Sequence, residues 1–152
     1  MKLPFEVDLA GKVAVVTGGS GVLGSSMCRA LSECGAHVAI LSRNKSNGEA
    51  VAKQLKTEGI ALSADVLDKQ ALENAKKEIL NKWGRVDILL NAAGGNNPVA
   101  TTDDEQYDRA SQDVQDFFKL SPEGVRFVFD LNFLGTLLPT QVFADELLKQ
   151  KG

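Results

Sequence analysis

Two cysteines, one histidine, one tyrosine and one tryptophan in 152 residues rule out several kinds of chemistry at once. Cys28 and Cys34 stand six apart inside one expected helix, a spacing that suits neither a disulfide nor a zinc knuckle. Both are expected as buried, reduced thiols in a cytoplasmic protein, and no metal site is expected. Positive charge is not in excess: 17 Lys and Arg face 20 Asp and Glu, a net charge of −3, so a nucleic-acid partner is not expected. No contiguous apolar run approaches the roughly 20 residues that cross a bilayer. The opening MKLPFEVDLAGK carries two acids and no apolar core segment, unlike a signal peptide. A membrane partner is therefore not expected either. What is present is ordinary for a soluble domain with a real core, at 43% apolar and 24% charged residues.

The apolar residues are arranged in an alternating rhythm. KVAVVTG is a β-branched run that stops at glycine and reads as a buried parallel strand. From Val22 to Cys34 the apolar residues Leu23, Met27, Ala30, Leu31 and Cys34 fall at helical spacing, and Gly35 closes that helix. HVAIL, residues 37–41, is a second strand. KSNGEAVAKQLKTEG is expected as an amphipathic helix ending at Gly59, and IALSADV as a third strand. Residues 68–83 form another helix, with Leu72, Ala75, Ile79 and Trp83 on one side, and RVDILLNAAGG is a fourth strand running into glycines. Strands alternating with helices predict an α/β fold, a doubly wound parallel sheet with helices on its faces. Residues 97–123 break the rhythm with seven acids (Asp103, Asp104, Glu105, Asp108, Asp113, Asp116 and Glu123) against Arg109 and Lys119. A stretch this long between elements is expected as a functional flap or a disordered insert. Ser121 and Pro122 then read as N-cap and first helical residue, opening a long apolar helix over Val125–Leu148 that Pro139 should kink or break.

The junction TGGSGVLG, residues 17–24, carries the most specific signal. Glycines between a strand and a helix let the backbone turn tightly and approach a ligand, while the helix offers unpaired N–H groups and the positive end of its dipole. Gly19, Gly21 and Gly24 satisfy G-x-G-x-x-G in the strand–turn–helix context that a dinucleotide pyrophosphate requires. The rival P-loop reading uses Gly19 and Gly24 but meets Ser25 where a phosphate-neutralising lysine belongs.

TGGSGVLG, ADV, NAAG and DLNFLGT, in this order and at these intervals, resemble the short-chain dehydrogenases/reductases, from Lys12 to the end. More narrowly, TGGSGVLG, NAAGGNNP and FVFDLNFLGTLLPTQVF look like the sugar-acid branch of D-mannonate (fructuronate) oxidoreductases. The resemblance implies a single Rossmann-type domain over 1–152 holding strands one to four, with the acidic insert at about 97–123. One departure is Val22, which stands where the family pattern T-G-x-x-x-G-x-G has its middle glycine. Carried over onto matching positions, Thr17, Gly18, Gly19, Ser20, Val22, Leu23 and Gly24 would wrap the pyrophosphate. Asp65 would accept from the adenine amino group, with Val66 beside the ring, and Asn91, Ala92, Ala93 and Gly94 would close the floor near the ribose. The plainer reading of Asp65, a helix N-cap, stays open.

Cofactor choice is expected at the end of the second strand, at Ser42, Arg43 and Asn44. NAD would favour an acid there, whereas Arg43 could hold the 2′-phosphate of NADP bidentately or stack on adenine in either cofactor. NAD or NADP is expected, with a slight preference for NADP. The resemblance further implies that Asn132 orders a water in a proton relay, and that the catalytic Ser and Tyr-x-x-x-Lys lie beyond Gly152. Tyr107 is followed four residues later by Ser111, not lysine, and His37 opens a strand at the wrong end, so neither is the acid. The chain is therefore expected to be the cofactor-binding part of a longer, homo-oligomeric enzyme acting on a sugar acid, and inactive alone. A non-catalytic dinucleotide-binding module, or a reductase of another sugar or polyol such as gluconate 5-dehydrogenase, is the alternative. Arg109, Lys119 or Arg126 would pair with the substrate carboxylate.

Overall fold

A computed structural model describes residues 7–110 and 113–150. Four parallel strands, β1 (Val13–Thr17), β2 (His37–Ser42), β3 (Gly59–Ser63) and β4 (Ile88–Asn91), form one sheet in the order β3-β2-β1-β4. Val15 pairs with Ala39 on one side and Leu89 on the other, so β1 is the central strand joining both halves. The order reverses at β1, the switch point at which open α/β sheets bind ligands beyond their carboxyl ends. This is the doubly wound Rossmann-like fold that the alternating pattern implies.

Strand alternation divides the core in two. Val13, Val15, Ala39 and Leu41 face helix α3 (Lys69–Trp83) and helix α5 (Gly135–Lys149), meeting Leu72, Ala75, Ile79, Val142 and Phe143. Val16, Val38 and Ile40 face the opposite way, onto Cys28 of helix α1 (Val22–Glu33) and Val51 of helix α2 (Lys45–Ala52). At the base of the sheet, Asp87 accepts from the Val13 N–H at 2.9 Å and takes both arms of Arg85 at 2.8 and 2.5 Å. The Asp87 N–H returns a bond to the Val13 carbonyl at 2.9 Å, bolting the start of β4 to the start of β1.

Several sequence expectations need correction. Helix α2 ends at Ala52, and Gly59 opens β3 instead of closing a helix. Gln54 and Leu55 tighten the last turn with bonds to Val51 and Ala52. Thr57 is then drawn to α1, its N–H donating to the Ser32 hydroxyl at 2.9 Å and its hydroxyl donating to the Ala36 carbonyl. Cys34 lies at the C-cap of α1 and is half-buried, because Gly35 (φ +98°) ends the helix there; both thiols are free. Burial pushes the Cys28 thiol up to about 11, which makes it a core residue and not a nucleophile.

Pro139 does not break its helix. The irregularity lies one turn earlier, where helix α4 (Pro122–Phe129) passes through a π turn at Asp130–Leu134 into α5. A proline ring collides with the carbonyl four residues back, here Gly135, the residue at which the wide turn ends. The hydroxyls of Thr136 and Thr140 also bond back to the carbonyls of Asn132 and Thr136, at 3.1 and 2.7 Å. Because the helical stretch is continuous, Pro122–Lys149 is 28 residues long and is apolar enough, by length and composition, to cross a bilayer. Counting unbroken apolar runs misses this, since Asp130 and Asn132 interrupt the run. The stretch packs on the rest of the protein through buried Val142 and Phe143 and through Lys76 of α3, which donates to Asp145 at 2.6 Å and to the Val142 carbonyl at 2.9 Å.

Candidate nucleotide-binding site

A groove of about 230 Å³ opens at the carboxyl ends of all four strands. It is lined by Gly18, Ser20 and Gly21 after β1, Leu41 to Arg43 at the end of β2, Ala64 to Val66 after β3, Ala92 to Gly94 after β4, and Leu131 of the π turn. Of the candidate residues, the groove brings together Gly18, Ser20, Ser42, Arg43, Asp65, Val66, Ala92, Ala93 and Gly94.

The glycine corner is a three-backbone contact. Gly18 sits at φ +62°, and a Cβ on it would lie 2.7 Å from the Ala93 Cα. A Cβ on Gly24 would lie 2.3 Å from the Gly18 carbonyl oxygen, so α1 can begin this close to the loop only without a side chain there. Thr17 is fully buried beneath the corner, and its hydroxyl accepts from the Ala93 N–H at 3.2 Å. Gly19 rests on the Cys28 side chain, whose thiol donates to the Gly19 carbonyl at 3.7 Å. These residues therefore shape the loop from behind.

Helix α1 starts with no side-chain cap and no acid in its first turn. By contrast, α2, α3 and α4 are capped by Asn44, Asp68 and Ser121. The first N–H groups of a helix have no intrahelical partner, so among the described helices that begin from a loop only α1 presents them uncapped beside the groove, which suits a phosphate. Val22 and Leu23, 88% and 73% exposed, stand outward on this first turn.

On the other rim, Arg43 is exposed and makes no ion pair among the described residues. The Ser42 hydroxyl donates to the Asn44 carbonyl at 2.7 Å, and the Asn44 side chain caps α2 through the Ser46 and Asn47 N–H groups. Asn44 thus has its oxygen occupied. Asp65 is not a helix N-cap: that place belongs to Asp68, and Asp65 Oδ1 instead accepts from the Leu67 N–H at 3.0 Å within its own turn.

Asn91 and Asn132 are not among the residues that line the groove. Asn91 donates to the Thr140 hydroxyl at 3.0 Å, while its Oδ1 is buried without a partner among the described residues. The Asn132 amide donates to the carbonyls of Gly95 and Val128 at 2.7 and 2.8 Å, and its Oδ1 accepts from the Gly95 N–H at 3.3 Å. The Asn132 side chain therefore holds the loop after β4.

The insert is folded back on itself. Asp103 and Gln115 exchange bonds at 2.9 and 2.7 Å, and the Ser121 N–H donates to the Val99 carbonyl at 2.8 Å, which brings its ends together. Ser111, within it, lies outside the described residues. Tyr107 is exposed and meets Phe118 edge-on at 5.3 Å. Lys119 is taken up by the Val114 carbonyl at 2.6 Å and by Asp116 at 3.5 Å. His37 stacks on Trp83 with ring centroids 5.5 Å apart, at the amino end of β2 and away from the groove.

Sequence reasoning missed four lining residues. Gly21 was already in the glycine motif, and Leu41 and Ala64 lie at strand carboxyl ends, so topology alone could have named them. Leu131 had no signal beyond its place beside Asn132, since a π turn sets its direction.

Comparison with known proteins agrees with this fold. A family model for short chain dehydrogenases matches residues 12–152. An uncharacterized oxidoreductase of Bacillus subtilis is 49% identical over 150 residues, covering 97% of this chain and 54% of the relative. A Haemophilus influenzae protein solved with bound NAD, and provisionally named a D-mannonate oxidoreductase, has a TM-score of 0.88 at 38% identity, over 92% of this chain and 51% of that one. A 3-ketoacyl-(acyl-carrier-protein) reductase of Brucella melitensis complexed with NADH gives 0.74 at 28% identity, over 91% of this chain and 51% of that one. The chain spans about half the length of the curated relatives it matches.

Proposed function

Because the chain belongs to the short chain dehydrogenase family, we propose that it is the nucleotide-binding domain of an NAD(P)-dependent oxidoreductase that interconverts a keto sugar acid and its hydroxy form. The observation that carries this reading is the uncapped start of α1, walled by Gly18 and Gly24 and opening into a groove rimmed by Arg43, Asp65 and Val66. The residues fit a dinucleotide. Uncapped N–H groups of α1 and the loop Gly18–Gly21 would receive the pyrophosphate. The outer Asp65 oxygen would accept from the adenine amino group, and Val66 would lie against the ring. Arg43 would read the 2′-position of the ribose, with NADP preferred slightly over NAD. The bound cofactor would supply hydride transfer; the chain's own residues bind and orient it.

The sugar-acid substrate rests on the resemblance to the mannonate branch and on the relative solved with NAD. Arg109 and Arg126 are the candidate partners for its carboxylate, since Lys119 is already engaged. The 152-residue chain should show no turnover. The only tyrosine is an exposed insert residue, the only histidine stacks on Trp83 away from the groove, and general acid catalysis is worth about 10²–10⁴-fold.

One observation favours the second reading, a dinucleotide-binding module without catalysis. Asn132 has a structural use in holding Gly95, so its presence alone does not imply a proton relay. Titration calorimetry with ADP-ribose, together with NAD(P)H oxidation in the presence of D-fructuronate, tests the proposal. Binding without turnover is expected. Absence of binding would overturn the groove assignment, and turnover well above background would overturn the inactivity of the chain. In the same assay Arg43→Ala should weaken NADP by roughly 1.5–3 kcal/mol and NAD by less; equal losses would remove Arg43 from cofactor choice.

A further inference from the structure

Gly135 is a buried helical glycine with no backbone reason to be glycine. Its φ of −65° suits any residue, and glycine is a poorer helix former than alanine. The reason lies across the interface. A Cβ on Gly135 would come 2.9 Å from Val66 Cγ2 and 3.7 Å from Val66 Cβ. Val66 is 6% exposed and lines the groove, and a β-branched side chain is stiff at χ1, so it has little freedom to give way. Leu131, one helical turn before Gly135, lines the same groove, and its Cδ1 would lie 3.9 Å from that Cβ. Leu131, Gly135 and Val66 therefore form one contact at the wall between the third strand's end and the π turn.

We infer that Gly135 is a positioning residue of the nucleotide groove: it lets α5 approach so closely that Val66 is pressed to its place in the wall. The inference rests on the reading of the groove as the adenosine seat. A methyl group at 135 pushes Val66 toward the space that an adenine ring would use, while it leaves the glycine corner and Arg43 untouched. The effect is on ligand affinity and not on the helix, which gains from alanine.

The test is ADP binding by calorimetry, with thermal melting, on the unsubstituted chain, Gly135→Ala, Val66→Ala and the double variant. Gly135→Ala should weaken ADP roughly 5-fold or more, while its melting temperature reads the helix gain of alanine against the overpacking at Val66. Adding Val66→Ala should recover most of that loss, because the new methyl then occupies the space that the valine vacates. If Gly135→Ala alone fails to fold, the double variant carries the test, and it should fold and bind within about 3-fold of the unsubstituted chain. Unchanged ADP affinity in Gly135→Ala would overturn the inference alone, as would a loss that Val66→Ala does not relieve. Failure of the unsubstituted chain to bind ADP would overturn the groove reading and this inference with it.

Discussion

Strands β1 and β4 pair in register over four residues, yet all five residues of β1 are buried and all four of β4 are only half-buried. The two runs are about equally apolar, so composition does not explain the difference. Position does. β1 has a strand on each edge and helices on both faces, with α1 on one and α3 and α5 on the other. β4 is paired on one edge only, and the helix that covers it leaves Phe129 and Phe133 of the same helical stretch 68% and 66% exposed. The groove lies across this boundary. Its phosphate side is built on the closely packed half, and its floor, Ala92 to Gly94, on the looser half held by Asn132.

The hardest test of that contrast is a matched pair of glycine substitutions. Gly24→Val places a side chain 2.3 Å from the Gly18 carbonyl and should cost about 3 kcal/mol or more, abolishing ADP binding or the fold itself. Gly95→Ala meets only Leu131 Cδ2 at 3.5 Å, an ordinary contact, and should change stability and ADP affinity by less than about 0.5 kcal/mol. Calorimetry and thermal melting on both variants decide it. Similar losses would show the two halves to be equally constrained, and an unaffected Gly24→Val would remove the glycine corner from the site.

A smaller effect is expected where the two strands are bolted together. Burial pushes the Asp87 carboxyl up, but the Arg85 guanidinium, the Val13 N–H and the charges of Arg85 and Lys12 together hold it below the usual carboxylate range. A carboxyl whose folded value is depressed stabilises the fold fully above its unfolded value, near 3.9, and loses that contribution as pH falls through the folded value. Asp87→Asn keeps an acceptor for Val13 but loses the charge-assisted pair, and should cost roughly 1.5–3 kcal/mol at pH 7. Urea titrations of both proteins should show this gap closing on acidification below pH 4. A gap that persists or widens in acid would show that packing, and not charge, joins β4 to β1.

Legibility in the sequence follows the same boundary. VAVVT, HVAIL and the glycine corner are local signals, a β-branched run or a glycine at a strand end, and they located β1, β2 and the start of α1 to within a residue or two. Elements governed by distant contacts were not legible. Helix α2 is shortened by Thr57 reaching Ser32 and Ala36, residues more than twenty positions away. The irregular turn sits at Asp130–Leu134 instead of at Pro139, where Asn132 is tied to Gly95 thirty-seven residues away. The hydrogen bonds of Asn132 were not legible for that reason: its motif identifies a family, but only the folded chain shows which backbone its amide holds. Asp65 and Asp68 both lie ahead of the same helix in sequence, and only geometry assigns the cap to Asp68.

A small effect on folding is also expected from two exposed phenylalanines of the long helical stretch. Phe129 and Phe133 lie one turn apart, and Leu137, one turn further on, is also exposed. A phenylalanine that is two-thirds exposed gives up little burial when it is shortened, so Phe129→Ser with Phe133→Ser should change the free energy of unfolding by less than about 1 kcal/mol. Its effect on solution behaviour should be far larger. Contiguous apolar surface of this kind favours association, and the unsubstituted chain is expected to scatter light as a concentration-dependent oligomer. The double serine variant should shift it toward monomer at the same concentration while keeping its melting temperature and its ADP affinity. That outcome separates the two halves, because the β4 side would govern association and the β1 side would govern nucleotide binding. A monomeric unsubstituted chain would remove the exposed face as a driver of association. A double variant that loses ADP along with its oligomers would show instead that the looser half must be covered before the groove can hold its ligand.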